Sequence, residues 1–209
     1  MRTVITRRVL RCFAAVACVV PLLTGCGGTK TSVTQVWKAS YSPAPMKSIL
    51  VFGARMDEAN RRALEDSIVA GLRSHDVAAR PSYELFPGEP PDPEKARAVV
   101  SGAGFEGLLV ATLKSDREKT TYVPGSYYGG FWSSYYGPGW AYWDPGYVTT
   151  ERFVDWELTL WDARAEDRLT WTATLQTSNP SSGQDYVKSV TATAIPLLAK
   201  QGVIPNPSK

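Results

Sequence analysis

The sequence contains few of the residues that bind metals or form disulfides. Its 209 residues include a single histidine, His75, and three cysteines, Cys12, Cys18 and Cys26. These counts exclude a histidine-rich metal site and a scaffold held by several disulfides. With 44% hydrophobic and 21% charged residues, the composition is that of a globular protein and excludes wholesale disorder.

Acidic residues are absent from the first 25 positions, which contain four arginines. Without those positions, 19 basic residues stand against 20 acidic ones, so the formal charge of the remaining chain is −1. A near-neutral chain offers no electrostatic basis for holding a phosphate backbone. We therefore expect no nucleic-acid partner.

Residues 1–25 have the organisation of a secretory signal peptide. The arginine-rich start precedes an apolar run over 12–23. At about 1.5 Å per residue this run covers only about 18 Å, which is too short for a bilayer core of about 30 Å. A cleaved signal is therefore the better interpretation. The pair Arg7-Arg8 leaves a twin-arginine signal as an alternative.

The apolar run ends in Leu23-Thr24-Gly25-Cys26, which resembles the lipobox of bacterial lipoproteins. The resemblance implies that Cys26 is acylated and becomes the new N-terminus, which anchors the chain to the membrane. The mature chain then has no free thiol for catalysis or metal binding. By resemblance to the enterobacterial sorting rule, Gly27 implies the outer membrane, facing the periplasm. A plain secretory signal with a chance cysteine is the alternative.

The mature chain is predicted to divide into a tether over 26–46 and an α/β domain over 47–204. Glycine, serine, threonine and proline dominate both ends of the tether, although Val33–Trp37 has the composition of an edge strand. Continuous apolar runs at 49–52 and 108–113 predict strands buried on both faces, and a short strand is expected near 77–80.

Amphipathic periodicity predicts three helices. The first spans about 57–74, with Asp57 as N-cap, a stripe of three apolar residues and Glu65 among the polar residues around it. The second begins at Asp92-Pro93 and ends at Gly102.

The third helix is expected over about 184–201. Its apolar stripe is predicted to contain Tyr186, Val190 and Leu197, and Gly202 lies past its end. Pro196 should kink or interrupt this helix, because proline lacks the backbone N–H that the ladder needs.

Residues 148–178 read as a β-hairpin with one buried and one wet face. The predicted buried positions alternate along both strands: Val154, Trp156, Leu158, Leu160, Leu169, Trp171, Ala173 and Leu175. The fold class is therefore α/β (α+β), a single mixed sheet with helices packed on it. The expected order is β-α-β-α-β, a long aromatic loop, then β-β-α.

The long loop is a Tyr/Gly/Trp-rich insertion over 122–147. It contains eleven of the chain's 23 aromatic residues, six glycines and three prolines, and Asp144 is its only charge. Four interpretations stay open: a cover for an apolar surface of the fold, binding of an envelope protein, stacking on peptidoglycan sugars, and contact with membrane headgroups. The candidate binding residues are Tyr127, Tyr128, Trp132, Tyr135, Tyr136, Trp140 and Trp143.

No motif indicates catalysis or a cofactor. The glycines of 102–107 match a dinucleotide fingerprint in letters, but they close a helix and open a strand, so we expect no nucleotide there. His75 is predicted to cap the first helix. Asp155 and Glu157 are predicted to be exposed strand residues rather than an acid/base pair. We expect no catalytic residue, metal or cofactor, with a hydrolase of envelope polymers as the minor alternative.

The order of elements resembles that of small bacterial envelope lipoproteins whose fold is like the N-terminal domain of TolB. The residues that carry the resemblance, besides Cys26, are Ser48–Gly53, the helix Glu65–Ser74 ending near His75-Asp76, the strand entry Gly104–Val110 and the hairpin segment Leu160–Ala163 with Leu169–Trp171. Penicillin-binding-protein activator and curli secretion lipoproteins have related folds. We expect a non-enzymatic envelope lipoprotein that binds a protein or cell-wall partner. A structural envelope lipoprotein with no specific ligand is the alternative.

Overall fold

The structure, a computed structural model, describes residues 29–41, 44–87, 93–125, 127–128, 142–143, 145–165 and 167–207. The described elements, in chain order, are β1 Lys30–Lys38, β2 Ser48–Ala54, α1 Glu58–Arg73, β3 Ala78–Pro81, α2 Pro93–Gly102, β4 Gly107–Pro124, β5 Tyr127–Tyr128, β6 Tyr142–Trp143, β7 Gly146–Asp162, β8 Arg168–Ser178 and α3 Gly183–Lys200. A single 3-10 turn over Ser82–Glu84 follows β3.

Six of the strands form one mixed sheet in the order β1-β8-β7-β4-β2-β3. Strand β2 pairs in parallel with β3 and β4, whereas the pairs β4–β7, β7–β8 and β1–β8 are antiparallel. The predicted fold class, a single mixed sheet with packed helices, is confirmed. Strands β5 and β6 form a separate two-stranded pair.

Helix α1 follows the pattern that the sequence predicts. The Asp57 side chain accepts a hydrogen bond from the backbone N–H of Asn60 at 3.0 Å, which satisfies a donor that the first helical turn leaves free. Leu64, Ile68 and Leu72 are fully buried against the sheet. Their spacing of four residues places them on one face of the helix.

The hairpin of β7 and β8 supplies the centre of the core. Val154, Trp156, Leu158 and Leu160 are buried on one face of β7, as predicted. The prediction for β8 fails only at Leu169, because a register shift after Leu160 pairs Leu169 with Trp161. The neighbouring Thr170 is buried instead, and its hydroxyl donates to the Leu160 carbonyl at 2.9 Å.

Helix α3 packs beside α1 on the same face of the sheet. Its buried stripe is centred on Val190, Ala194 and Leu198, so the predicted stripe is displaced: Leu197 is only partly buried. Of the two effects expected of Pro196, a kink or an interruption, the interruption does not occur, because the helix continues to Lys200. The buried residues on both sides of the proline hold this turn against the core, and Pro196 itself is exposed.

The opposite face of the sheet is covered only in part. Helix α2 and the 3-10 turn cover β2 and the start of β4 through a small cluster that includes Leu50, Phe86, Val100 and Phe105. The sheet therefore has helices on both of its faces only in the region of β2 and the start of β4. The odd-numbered residues of β7 from Phe153 to Trp161 stay half-exposed on this second face.

The predicted edge strand is confirmed as β1. It pairs with β8 from Lys30, opposite Ser178, to Lys38, opposite Trp171. Much of the stretch that was expected to be a tether is therefore part of the sheet. The physical reason is that β8 would otherwise leave its outer row of N–H and C=O groups without strand partners.

Candidate functional site: a projecting aromatic ribbon

Strands β4 and β7 continue well beyond the body of the sheet. One row across the sheet contains Lys30, Ser178, Phe153 and Arg117, which are paired in that order. Beyond this row β8 ends, and β4 and β7 continue alone as a two-stranded ribbon. The ribbon contains seven further residue pairs, from Glu118 with Arg152 to Pro124 with Gly146.

The base of the ribbon is fixed to the body by polar contacts. Arg152 donates through Nε to Asp116 Oδ1 at 2.8 Å, across the two strands. The backbone N–H of Arg152 also donates to the Asn179 side chain at 3.0 Å. Hydrogen bonds and charge from Arg152 hold the pKa of the Asp116 carboxyl below its ordinary value. The contact with Arg152 therefore favours the ionised form of Asp116.

The end of the ribbon is apolar and uncovered. Tyr122, Tyr147 and Val148 are 60%, 59% and 61% exposed. The Tyr122 hydroxyl donates to the Pro145 carbonyl at 3.2 Å and so ties the two strands together. Gly146 closes this end at φ +75°, a left-handed conformation in which a Cβ would lie 2.5 Å from the Val123 oxygen.

The structure accounts for some of the predicted binding residues. Tyr127 and Tyr128 form β5, which pairs with β6, and Trp143 lies in β6 opposite Tyr127. Trp132, Tyr135, Tyr136 and Trp140 lie outside the described residues, as does Cys26. The insertion begins and ends inside the ribbon, because its first three residues belong to β4 and its last two to β7.

The second candidate site is a concave surface at the carboxyl end of β2. It is a cavity of about 1120 Å³ with an apolar lining that includes Phe52, Phe86 and Trp161. Phe52 and Phe86 stack with ring centroids 6.2 Å apart. The loop after β2 contributes Arg55, an exposed residue held at φ +62°. Ligands of open α/β sheets commonly bind at this edge, so the cavity is the second candidate.

A buried carboxylate holds the wall of this cavity together. Glu65 is fully buried and accepts hydrogen bonds from the Gly53 N–H at 2.8 Å, the Ser82 hydroxyl at 2.8 Å and the Tyr83 N–H at 3.3 Å. The prediction that Glu65 is a surface residue of α1 is therefore wrong. Donors from the end of β2 and from the 3-10 turn replace water around it.

The carboxylates Asp155 and Glu157 lie on the open face of the sheet, as predicted, but Asp155 is partly buried rather than exposed. Asp155 accepts from Ser115 and Gln176 at 2.7 and 2.8 Å, and Glu157 pairs with Lys114 at 3.2 Å. Burial acts to raise the pKa of Asp155, but these hydrogen bonds and a close contact with Arg117 outweigh it and lower the pKa. Asp155 is therefore held ionised, unlike a general acid.

The remaining predicted features have structural roles. His75 Nδ1 lies 3.3 Å from the Gly71 carbonyl at the end of α1, which agrees with capping. The glycines of 102–107 close α2 and open β4, and Gly104 adopts φ +71°.

Within the described ranges, no group of three His, Cys, Asp or Glu side chains is placed to hold a metal ion. No described helix has the length and apolar character required to cross a bilayer.

No protein-family model matches the chain, and no curated protein matches it. Solved structures that are similar to it include the PelC dodecamer from Paraburkholderia phytofirmans, with 13% identity, a TM-score of 0.44 and coverage of 84% of this chain and 99% of that one. The lipoprotein GNA1162 from Neisseria meningitidis has 14% identity, a TM-score of 0.43 and coverage of 76% and 99%.

TolB from Acinetobacter baumannii is also among the similar structures, with 12% identity, a TM-score of 0.37 and coverage of 85% of this chain and 32% of that one. The solved structures that are similar to this chain therefore include a lipoprotein and TolB.

Proposed function

We propose that this chain is a lipid-anchored, non-enzymatic lipoprotein of the bacterial cell envelope, held in the outer membrane and facing the periplasm. The observation that carries the proposal is Leu23-Thr24-Gly25-Cys26, placed directly after an arginine-rich start and a short apolar run. Four residues after Cys26 the chain enters β1, so the anchor and the folded body are directly joined.

The polar side chains support a binding role over an enzymatic one. In the described part of the chain, the carboxylates nearest to a catalytic arrangement are held by structural partners: Glu65 by three donors, and Asp155 by Ser115, Gln176 and Arg117. The Ser82 hydroxyl in the cavity wall is buried and donates to Glu65. To act as a nucleophile, the Ser82 hydroxyl needs a base that takes up its proton and later releases it. The Glu65 carboxylate does not serve as this base, because its hydrogen bonds to structural donors engage it fully.

We propose that the ribbon is the binding element. Tyrosine and tryptophan are the residues that most often dominate binding surfaces, and the ribbon carries exposed Tyr122 and Tyr147 at its end. Its partner belongs to the classes that the sequence leaves open: an envelope protein, cell-wall sugars or the membrane surface.

The anchor is tested by metabolic labelling with palmitate. We expect the wild-type chain to incorporate label and to fractionate with outer membranes, and Cys26→Ala to lose the label. Cys18→Ala is the matched control, because this cysteine leaves with the signal peptide. Equal labelling of wild type and Cys26→Ala would contradict the lipid anchor.

The binding element is tested by replacing 122–147 with a short Gly/Ser linker. Within the six-stranded sheet the replacement removes only the last three residues of β4 and the first two of β7. It also removes β5 and β6, which form a separate pair, so we expect the body to keep a cooperative thermal transition. Loss of that transition would mean that the segment is part of the core. Unchanged association with the envelope, in a Cys26→Ala background, would exclude the ribbon as a binding element.

A further inference from the structure

The anchor holds one end of the sheet close to the membrane. Only three residues lie between Cys26 and Lys30. Even a fully extended chain spans at most about 14 Å from one to the other. Lys30 lies in the row with Ser178, Phe153 and Arg117. If Cys26 is acylated, Lys30 therefore stays within about 14 Å of the membrane surface, and the ribbon starts in the same row, two strands farther across the sheet.

The ribbon projects from the same row and towards the same side. Strand β1 begins at this row, so the chain before Lys30 enters from the side into which β4 and β7 continue. Seven residue pairs at about 3.3 Å each carry the ribbon about 23 Å beyond the row. The ribbon is thus longer than the greatest span of the chain between Cys26 and Lys30.

The polarity of the ribbon changes along its length. Its base carries Arg117, Glu118 and Lys119 on β4 and Glu151 and Arg152 on β7. Threonines follow at the middle, and Tyr122, Val123, Tyr147 and Val148 lie at the far end. From Thr120 to Thr150 the only charged residue is Asp144. Charges near the body and tyrosines at the end match the passage from water to the headgroup layer, where tyrosine and tryptophan are favoured.

We infer that the end of the ribbon rests in the headgroup layer of the membrane that holds the acylated Cys26. The domain then has two contacts with one bilayer, which fix its orientation. This inference rests on the proposed lipid anchor and names the partner of the ribbon. Exposed apolar residues at the ribbon end gain from leaving water, and the short tether brings them to the bilayer without a second macromolecule.

Site-directed spin labelling tests the inference, because the mature chain has no cysteine besides Cys26. The full chain is expressed with its signal, so that Cys26 is acylated, as Val148→Cys, Lys119→Cys or Ser74→Cys. Each variant carries a nitroxide and is reconstituted in phosphatidylethanolamine/phosphatidylglycerol vesicles. Val148 is at the ribbon end, and Lys119 is at its base. Ser74 follows α1 at the end of the body away from the ribbon, because β2 runs parallel to β4 and α1 runs back from β2 to the parallel strand β3. Accessibility to a water-soluble nickel chelate and to oxygen is then measured.

We expect the label at Val148→Cys to be several-fold less accessible to the nickel chelate, and more accessible to oxygen, than the labels at Lys119→Cys and Ser74→Cys. Equal accessibility at the three positions would overturn the membrane contact. Shielding of the Val148→Cys label only in native envelopes, and not in lipid vesicles, would also overturn it and assign the ribbon to a protein or cell-wall partner. Absence of palmitate from the wild-type chain would instead overturn the anchor on which both proposals rest.

Discussion

Gly71 of α1 faces Ile195 of α3, and a Cβ built on Gly71 would lie 2.8 Å from Ile195 Cγ1. The two helices pack on the same face of the sheet. Because Gly71 has no side chain, Ile195 can pack directly against the backbone of α1. A glycine inside a helix normally costs about 1 kcal/mol relative to alanine. Here that cost is offset by the close packing of the two helices.

We therefore expect Gly71→Ala to lower the free energy of unfolding, against the usual trend for helices. Gly102→Ala is the matched control, because no atom lies within 4 Å of a Cβ at the end of α2. Urea denaturation compares the two variants. A Gly71→Ala variant as stable as Gly102→Ala would show that α3 moves aside at no cost.

The centre of the core is expected to be intolerant at Trp156. Its side chain is fully buried and packs against Tyr186, with ring centroids 5.5 Å apart. Trp156→Ala should lower the free energy of unfolding by about 3–5 kcal/mol, because the cavity cannot be refilled. Thr172→Ala, on the half-exposed opposite face, should change it by less than about 0.5 kcal/mol. Equal denaturation midpoints for both variants would contradict the proposed burial.

The Glu65 carboxylate is expected to be needed for its charge and both oxygens. Glu65→Gln should cost about 1–3 kcal/mol, because the amide group presents N–H to backbone and hydroxyl donors that need an acceptor. Glu84→Gln, which alters only the exposed pair with Arg80, should cost less than about 1 kcal/mol. Chemical denaturation measures both, and a tolerated Glu65→Gln would argue against the three hydrogen bonds.

Stability should fall in acid partly through Asp162, which accepts from the backbone N–H, Nε and Nη2 of Arg164 at 2.9 to 3.0 Å. Burial acts to raise the pKa of Asp162, but these bonds outweigh it, so the pKa lies below its ordinary value. The stabilisation is therefore present above the unfolded pKa of about 3.9 and is lost as the pH falls through the folded value.

The advantage of wild type over Asp162→Asn should accordingly be full at about pH 6 and shrink below about pH 4. Denaturant midpoints of the two proteins across that range provide the measurement. A difference that does not change with pH would mean that the Asp162 charge contributes nothing.

Arg55 is expected to carry backbone strain in the loop after β2. Its φ of +62° is left-handed, which costs a residue with a Cβ about 1 kcal/mol or more. Arg55→Gly should raise the thermal midpoint, whereas Arg55→Ala keeps the strain and should not. If both variants unfold at the same temperature, the loop conformation is not strained.

The sequence predicts the covered parts of the fold better than the uncovered ones. Strands β2 and β7 and helix α1 were found because burial imposes a regular pattern on their residues. The continuation of β4 to Pro124 was missed, since the ribbon is exposed on both sides and no alternation marks it. Its pairing with β7 is visible only once both strands are placed in the sheet.

The burial of Glu65 could not be predicted from the sequence for a related reason. Its donors come from Gly53, Ser82 and Tyr83, and no local pattern links these residues to a position inside α1. A charged residue directly after the core residue Leu64 was the only available signal. The candidate site was likewise predicted only in part. The composition of 122–147 indicated binding. The direction of the ribbon follows only from the strand register, which the structure shows.

The pairing of β1 with β8 joins two parts of the sequence that lie far apart. Lys30 pairs with Ser178, 148 positions later in the chain, so β1 can enter the sheet only after almost every other element has been synthesised. Such a pairing closes a very long loop, and the entropy of that closure is lost before the contacts of the strand compensate for it. We therefore expect β1 to be the last strand to join the sheet during folding and an early one to detach when the fold opens locally.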